Sequence, residues 1–414
     1  MTKPHVTSEI PPLAAQLYSP VEKPKRPYPI VLFNLAFRVF FLAGAIWALA
    51  AMAIWAAWFS GYGPITFHLP PTLWHAHEMI FGFAALIAAG FLLTAVQTWT
   101  GLRSVHGRAL IVLTLLWLTA RLSLLLGQHQ WGLWLFCVAQ LGWWLGCIGF
   151  YARLVLTANS RNNYLFMYVL SAMALLNSLF VILVLKQNYA GAAHLVQSAI
   201  ILFCALISVV GGRVIPFFTA KALSLPQSKN PTLDRFLWGL SVLATLWFAA
   251  EYFLAFTVSS GWIFILLAAG HLWRLGFWYS NRIWGMSLLW SLHLAYFAMA
   301  LGLLLVGISQ LTSYFPLKDS LHLISISAIS ALILSMMSRV SLGHTGRVLQ
   351  VSHWLSLAFA MLLVAGVVRA VSGLFIHVAA LWQISALLWV AAFGLFVWHY
   401  LPVLTRARVD GKQG

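Results

Sequence analysis

The chain has 414 residues, of which 62% are hydrophobic and only 7% are charged, and it contains 21 tryptophans and 28 phenylalanines. This composition excludes a soluble globular domain and is typical of a protein that crosses a membrane many times. The formal net charge is +17, but the basic residues are scattered among the loops, whereas a nucleic-acid-binding protein gathers them on one face. We therefore predict an all-α polytopic membrane protein with no nucleic-acid partner.

The chain divides into two short tails and one membrane domain. Residues 1–33 are rich in proline and polar residues and lack an early apolar segment, so we predict a disordered cytoplasmic tail and not a signal peptide. Residues 34–401 form a single predicted helical bundle, and residues 402–414 form a second cytoplasmic tail. About twelve segments are long enough to span the ~30 Å hydrocarbon layer. These segments are 35–59, 73–96, 109–126, 131–156, 164–185, 193–210, 236–258, 262–278, 283–307, 321–340, 354–371 and 375–400.

The distribution of basic residues supports twelve spans with both termini in the cytoplasm. With this topology, 20 of the 24 Lys and Arg residues fall on the cytoplasmic side, as the positive-inside rule requires. We therefore expect a multi-pass protein of the bacterial cytoplasmic membrane. The basic residues left in the outer half are Arg121, Lys186, Lys318 and Arg369.

The start of the second span carries the densest group of ionisable side chains. His75, His77 and Glu78 follow one another closely at one end of an apolar segment. A charge at the centre of a membrane helix costs roughly 2.5 kcal/mol or more, and imidazole is the commonest ligand of metals and haem iron. A ligand set for haem or a metal is one interpretation, and polar residues hydrogen-bonded at the membrane rim are the other. On a regular helix His75 and Glu78 share a face, whereas His75 and His77 point to roughly opposite faces.

More histidines lie in the outer half or near the midplane of other spans, which fits one buried site. No C-x-x-C-H sequence is present, so any haem would be held non-covalently. Carboxylates within the spans are too few for a typical proton-coupled transporter, since only Glu78 and Glu251 occur there. The histidines concerned, besides His75 and His77, are His194, His271, His293 and His322.

Two segments rich in glycine and arginine end the sixth and tenth predicted spans at the inner face, at residues 211–219 and 339–347. Glycine permits close backbone approach, and arginine offers fixed donors to an anion. An anion or propionate site is one interpretation, and docking of the helix ends on one another is the other. We predict docking for the arginines. The residues concerned are Arg213, Arg339, His344 and Arg347.

Several of these motifs, in this order along the chain, resemble the NnrS family of bacterial membrane proteins. The resemblance rests on residues 74–79, 91–96, 99–101, 211–219 and 339–347, together with Leu292, His293, Tyr296 and His322. One departure is Gln97-Thr98, where the family pattern has Pro-Asn. The resemblance implies a twelve-helix protein that contains b-type haem and copper and is associated with nitric oxide, nitrosative-stress tolerance and denitrification. It does not define a reaction.

The resemblance and the histidine positions together set the candidate roles. We predict axial haem ligation by His77 and His322, with His75 as the alternative to His77, because His77 faces the small residues of its helix. Glu78 and Glu251 are candidates for carboxylates that orient a ligand histidine. The copper candidates are His194, His271 and His293. The small residues that would make room for a macrocycle are Gly82, Ala84, Ala85, Ser325, Ser327 and Ala328.

The predicted architecture is loosely similar to haem-copper oxidase subunit I, which also has twelve helices with haem ligands on the second and tenth. That analogy implies no oxidase activity. The expected partners are the lipid bilayer and nitric oxide or a nitrosyl species, while the electron donor stays open. The alternatives are a transporter of an anion or metal complex and a non-enzymatic haem sensor or assembly protein.

Overall fold

The computed structural model describes residues 30–62, 69–125, 129–254, 256–312 and 314–411. Within these residues it has twelve long helices and no strand, which confirms the prediction of an all-α polytopic fold. The helices are α1 (Ala36–Phe59), α2 (Pro71–Thr100), α3 (Gly107–Ser123), α4 (Gln130–Thr157), α5 (Tyr164–Leu185), α6 (Tyr189–Leu223), α7 (Pro231–Glu251), α8 (Gly261–Trp278), α9 (Ser287–Thr312), α10 (Leu317–His344), α11 (His353–Val371) and α12 (Val378–Thr405).

The helix boundaries differ from the predicted spans mainly where helices extend beyond the apolar segment. Eleven helices are long and apolar enough to cross a membrane, whereas α3 has only 17 residues. The prediction that residues 211–219 end the sixth helix is wrong, because α6 continues through them to Leu223. Gly211 serves close packing instead, since a Cβ there would lie 3.2 Å from the ring of Tyr296 on α9. Helix α12 continues to Thr405, past the predicted start of the second tail. Most of the first predicted tail lies outside the described residues.

Helices α2, α6 and α10 form the centre of the bundle. In each of these three helices, more than four-fifths of the most apolar 18-residue segment is buried inside the protein. In α4, α7 and α12 the buried share of that segment is one third. Helix α1 packs against α12, and Arg38 donates a 2.8 Å hydrogen bond to the carbonyl of Leu404. The start of α1 and the end of α12 therefore lie at the same face of the bundle. We call this the terminal face, and we call the opposite face the distal face.

Two of the three central helices, α2 and α10, have the same sequence of α-helical and π-helical segments. Each begins at the distal face directly after a proline, Pro70 or Pro316, and runs as α-helix through its first histidines. Each then changes to π-helix, over Glu78–Ala84 in α2 and Leu323–Ser330 in α10, before returning to α-helix. Segments of π-helix are rare and occur frequently at functional sites.

Candidate cofactor site

A large cavity lies in the distal half of the bundle. It has a volume of about 610 Å³ and is lined by residues of α1, α2, α6, α10, α11 and α12. This volume falls within the roughly 300–1,000 Å³ of typical ligand and cofactor pockets. Its wall includes aromatic side chains from α1 and α12, among them Trp55, Trp58 and Trp389. Two of the predicted ligand histidines, His75 and His322, line this cavity from opposing helices.

His75 has a ring nitrogen that is free to bind a ligand. Its imidazole stacks on Trp55 with the ring centroids 4.6 Å apart and the planes 19° from parallel. Its Nδ1 atom is buried and has no hydrogen-bond partner among the described residues. Because Nδ1 is enclosed by protein and Nε2 also has no hydrogen-bond partner among the described residues, Nε2 is the ring nitrogen that can reach the cavity.

His322 is held in the tautomer that a metal ligand requires. Its Nδ1 lies 2.6 Å from the backbone carbonyl of Lys318, one turn earlier in α10, and therefore donates its proton to that oxygen. The lone pair of the neutral ring then resides on Nε2. Metal-binding histidines usually make such a bond through the other ring nitrogen, which fixes the orientation of the ring. The histidine pair at the cavity is thus His75 and His322.

Two basic residues that the sequence analysis assigns to the outer half, Arg369 and Lys318, also line the cavity. Arg369 is fixed by a 2.5 Å contact from its Nη1 to Asp319 Oδ1, and its guanidinium lies 4.5 Å from the ring centroid of Trp382. Sequence reasoning noted both basic residues but gave them no role. The sequence did contain a signal for a role, because both residues depart from the positive-inside sorting. The cavity therefore combines apolar walls, two imidazoles and a cationic rim.

His77 does not line this cavity, although the sequence-based prediction preferred it as the haem ligand. Its Nδ1 lies 2.8 Å from Glu78 Oε1, and its Nε2 lies 2.9 Å from the amide nitrogen of Asn177 on α5. The ring stacks on Phe180 at 4.7 Å and has no exposed surface. Both ring nitrogens are thus engaged by protein groups. The geometry favours His75 over His77 at the cavity.

His77 belongs to a closed ring of buried polar side chains on the other side of α2. Glu78 Oε2 lies 2.9 Å from Nε of Arg121 on α3, and Arg121 Nη2 donates to Gln140 Oε1 on α4 at 2.5 Å. Gln140 Nε2 donates to Asn177 Oδ1 at 2.8 Å, and Asn177 returns to His77. We call these five residues the buried ring. Glu78 does contact a histidine nitrogen, as predicted, but the histidine is not the one at the cavity.

Two tryptophans of neighbouring helices donate hydrogen bonds to the π-helical segment of α2 beside this ring. Trp47 of α1 donates from Nε1 to Glu78 Oε2 at 2.8 Å, and Trp117 of α3 donates to the carbonyl of Gly82 at 2.9 Å. A Cβ at Gly82 would lie 2.5 Å from Glu78 Oε2 and 3.2 Å from Arg121 Nη1. Gly82, predicted to make room for a macrocycle, instead makes room for the buried ring. Of the six predicted small residues, Ala84 and Ser325 line the cavity.

The three copper candidates are not brought together. His194 Nε2 bonds the carbonyl of Phe248 on α7 at 2.7 Å, and His271 Nδ1 bonds the hydroxyl of Tyr296 at 2.7 Å. His293 is held by backbone carbonyls on both sides of its ring, at 2.9 and 3.3 Å. Across the part of the chain that the structure describes, no group of three or more His, Cys, Asp or Glu side chains is arranged to hold a metal ion. The three histidines are therefore not arranged as one copper site, although His271 Nε2 is buried without a hydrogen-bond partner among the described residues, and copper binding stays a prediction.

Glu251 makes its hydrogen bonds to the distal ends of α8 and α9, and none joins it to a histidine among the described residues. Its Oε1 accepts a 2.5 Å bond from Gln310 on α9, and its Oε2 accepts a 3.4 Å bond from the backbone nitrogen of Ser260 just before α8. Both contacts join helix ends. The carboxylate thus links α7, α8 and α9.

Two arginines at the terminal face make contacts between helices. Arg213 of α6 donates to Asn163 Oδ1 at 3.0 Å, just before α5. Arg339 of α10 donates to the carbonyl of Leu288 on α9 at 3.2 Å, and its guanidinium lies 4.1 Å from the ring centroid of Phe218 on α6. These contacts are of the kind that the docking interpretation predicts.

The end of α10 holds the segment that follows α12. The carbonyl of His344 accepts a 2.6 Å bond from Arg408, and the imidazole lies 5.5 Å from the ring of Phe37. The hydrogen bond from Arg408 to Asp410 raises the pKa of the guanidinium above its usual value.

Arg347 keeps a buried Nη1 without a hydrogen-bond partner among the described residues. None of these groups lines the large cavity.

Comparison with known proteins places the chain in one family. The family model described as NnrS protein matches residues 31–408, which is nearly the whole chain and includes all twelve helices. No curated protein matches the sequence. The match covers the cavity, the buried ring and the contacts at the terminal face alike. The chain therefore belongs to the NnrS family.

Proposed function

We propose that the large cavity binds one haem between His75 and His322, and that the protein uses it in the response to nitric oxide. One observation carries the proposal. His75 and His322, on two different helices, line the same cavity. Neither ring nitrogen of His75 is bonded to a protein group among the described residues, and the tautomer of His322 leaves the lone pair on Nε2. Imidazole is a common ligand of haem iron, so these two side chains would hold the group.

The other residues of the cavity fit the remaining parts of a haem. The tryptophans of α1 and α12 offer apolar faces to a macrocycle, and Arg369 and Lys318 offer cations to its two propionates. The Arg369 guanidinium keeps its position because Asp319 and Trp382 hold it. When bound, haem would supply an iron centre that can bind nitric oxide. The protein residues would fix its orientation and keep water away from it.

Family membership and the resemblance described above support a role in nitric oxide tolerance during denitrification. Nitric oxide is small and crosses membranes, so a site within the bilayer is accessible to it. We further propose that the membrane is the bacterial cytoplasmic membrane and that the distal face is periplasmic, as the sorting of basic residues predicts. A sensor or assembly protein would use the same haem site without turnover.

Copper is not part of the proposal, because the three histidines predicted for it have separate protein partners. Transport of an anion is the weaker alternative. The cationic rim would attract an anion into the large cavity, but the cavity that follows it toward the terminal face is lined by apolar residues alone. An anion crossing that stretch would lose its hydration without compensation.

The visible spectrum of the purified protein tests the proposal. We expect a stoichiometric Soret band and a low-spin ferric signal, since both axial positions would be imidazoles. His75→Ala and His322→Ala should each lower the haem content or convert the iron to high spin. His77→Gln is the matched control, because His77 lies only two residues after His75 on the same helix but belongs to the buried ring.

Two outcomes would contradict the assignment. Protein of normal yield without haem, after expression with an adequate haem supply, would remove the cofactor. An unchanged low-spin spectrum in His75→Ala, together with its loss in His77→Gln, would return the ligand role to His77. Nitrosyl formation and turnover, measured on the reduced wild type, then separate an enzyme from a sensor.

A further inference from the structure

A second, smaller cavity lies between α1, α2, α6 and α10, nearer the terminal face than the haem site proposed above. Its volume is about 60 Å³. All fourteen residues that line it are apolar, and they include Phe41, Phe203 and Met337. Most of these side chains are buried in the bundle core. The cavity offers no hydrogen-bonding side chain to an occupant.

The small cavity adjoins the large one. Ile329 of α10 lines both. On α2, Ala84 lines the large cavity and Ala88, one turn later, lines the small one. On α6, Ile200 and Phe203 divide in the same way. A molecule in the small cavity is therefore separated from the large cavity by about one helical turn and the side chain of Ile329.

Size and chemistry limit what can occupy the small cavity. Water needs roughly 10–15 Å³ of such space and also two to four polar partners, which these residues do not supply. A whole lipid tail or isoprenoid chain does not fit within 60 Å³. Apolar cavities of proteins stay dry and bind small apolar guests such as xenon. The class of occupant that remains is a small apolar gas molecule.

We infer that the small cavity is a binding site for small apolar gases, including nitric oxide, and that it holds them next to the cofactor cavity. The gas-binding step depends only on this cavity, whereas the holding step also rests on the proposed haem. A gas dissolved in the bilayer would enter the bundle core and dwell beside Ile329. Its local concentration near the large cavity would then exceed that in water.

Xenon tests the binding site directly, because it is a chemically inert gas of the same class. We expect the purified full-length protein to show one saturable site in ¹²⁹Xe NMR titrations. Ala88→Leu should fill the cavity and weaken xenon binding by about tenfold or more, as added methylenes do in a hydrophobic pocket. Leu332→Ala should enlarge the cavity and strengthen or at least retain binding, and this variant changes the cavity in the opposite direction.

Ala43→Leu is the matched control, because Ala43 is a partly buried alanine of α1 that lines neither cavity. Xenon binding in this variant should equal that of the wild type. Absence of a saturable site in the wild type would overturn the inference. Equal weakening in Ala43→Leu and Ala88→Leu, or unchanged binding in Ala88→Leu together with Leu332→Ala, would overturn it as well.

The holding step is tested on haem-loaded protein with carbon monoxide as the probe. After photolysis, the fraction of carbon monoxide that rebinds without leaving the protein should differ between Ala88→Leu and wild type and stay unchanged in Ala43→Leu. Equal fractions in all three proteins would overturn the holding step and leave the xenon site intact. Protein that binds no haem would overturn the proposed function, while the xenon titration would still decide the cavity.

Discussion

Helix α2 presents two histidines, two residues apart, to two different environments. His75 lines the large cavity, stacks on Trp55 and has a buried Nδ1 without a hydrogen-bond partner. His77 is fully buried in the ring of polar side chains, and protein groups engage both of its nitrogens. The residue type and the helix are the same. The difference shows that unmet bonding capacity at a cavity, and not the imidazole itself, distinguishes a candidate ligand from a structural group.

The buried ring is consistent in the direction of every hydrogen bond. A carboxylate can only accept, so His77 Nδ1 donates to Glu78, and His77 Nε2 then accepts from the amide nitrogen of Asn177. The amide oxygen of Asn177 is left to accept from Gln140 and Trp144, at 2.8 and 2.9 Å. The network joins four helices and restricts their movement relative to one another, although Arg121 Nε and Nη1 are buried without a hydrogen bond. A metal at His77 would first have to displace Asn177.

The largest loss of stability is expected when the cation of the buried ring, Arg121, is removed. Arg121→Met leaves the Glu78 carboxylate buried without its ion-pair partner, so we expect a loss of about 3–5 kcal/mol of stability. Thermal unfolding in detergent, followed by circular dichroism, measures the loss. The double variant Arg121→Met/Glu78→Gln should recover part of it, because no uncompensated charge remains. A single variant as stable as the wild type would contradict the ion pair.

A smaller disturbance comes from adding one methyl group inside the ring. In Gly82→Ala the new Cβ would lie 2.5 Å from Glu78 Oε2, so the carboxylate must move, and we expect a loss of about 1–3 kcal/mol. Gly149→Ala on α4 is the matched control, because a Cβ there meets no atom within 4 Å. That change should be neutral or stabilise the helix by up to about 1 kcal/mol. Equal unfolding temperatures of the two variants would show that Gly82 has no special role.

The fold could be predicted from sequence because length and apolarity define a membrane span almost by themselves. Twelve segments were predicted and twelve helices are observed in the described residues. The ends were less predictable, because polar residues beyond the hydrocarbon layer still continue a helix. Helix α6 runs from Tyr189 to Leu223 although glycines and Pro216 lie within it. Local sequence gave no signal for the two π-helical segments.

The π-helical segment also explains why His75, and not the His77 preferred from sequence, lines the cavity. Regular helical spacing places His77 on the same face as Ala84. The segment Glu78–Ala84 instead bonds residues five apart, which rotates every later side chain relative to the earlier ones. Ala84 consequently lines the cavity together with His75. A register change of this kind follows from packing, which a single sequence does not reveal.

The exceptions to the positive-inside sorting were the informative residues. Arg121 belongs to the buried ring, and Lys318 and Arg369 line the cavity. The fourth of these residues, Lys186, has no such place, since it is exposed directly after α5. A charged side chain inside a membrane span is costly, so it usually pairs with another group. Sequence alone did not identify those partners, because they lie on different helices.

The side-chain amide of Asn177 also contributes to stability, because it bonds to the side of α2 that faces the buried ring. Asn177→Leu keeps the approximate size of the side chain but removes the bonds to His77, Gln140 and Trp144. Hydrogen bonds between membrane helices contribute roughly 0.6 kcal/mol each, with about 1.7 as the largest values, so we expect a loss of about 1–3 kcal/mol. Haem content should stay unchanged because His77 is not the proposed ligand. Loss of haem in this variant would show that the ring and the cavity act together.

The smallest effect on stability is expected at the cavity. His75→Leu removes a nitrogen that has no partner, so the folded apoprotein loses no hydrogen bond and gives up only the stacking on Trp55, which contributes about 0.5–1.5 kcal/mol. Part of this loss is offset because an unpaired buried nitrogen is itself destabilising. We therefore expect unfolding of the apoprotein to change by less than about 1 kcal/mol, while haem binding is strongly weakened. Thermal unfolding of haem-free protein, measured beside Asn177→Leu, separates the two effects. A larger loss of stability in His75→Leu than in Asn177→Leu would reverse the comparison, because His75 would then be the structural histidine of the pair.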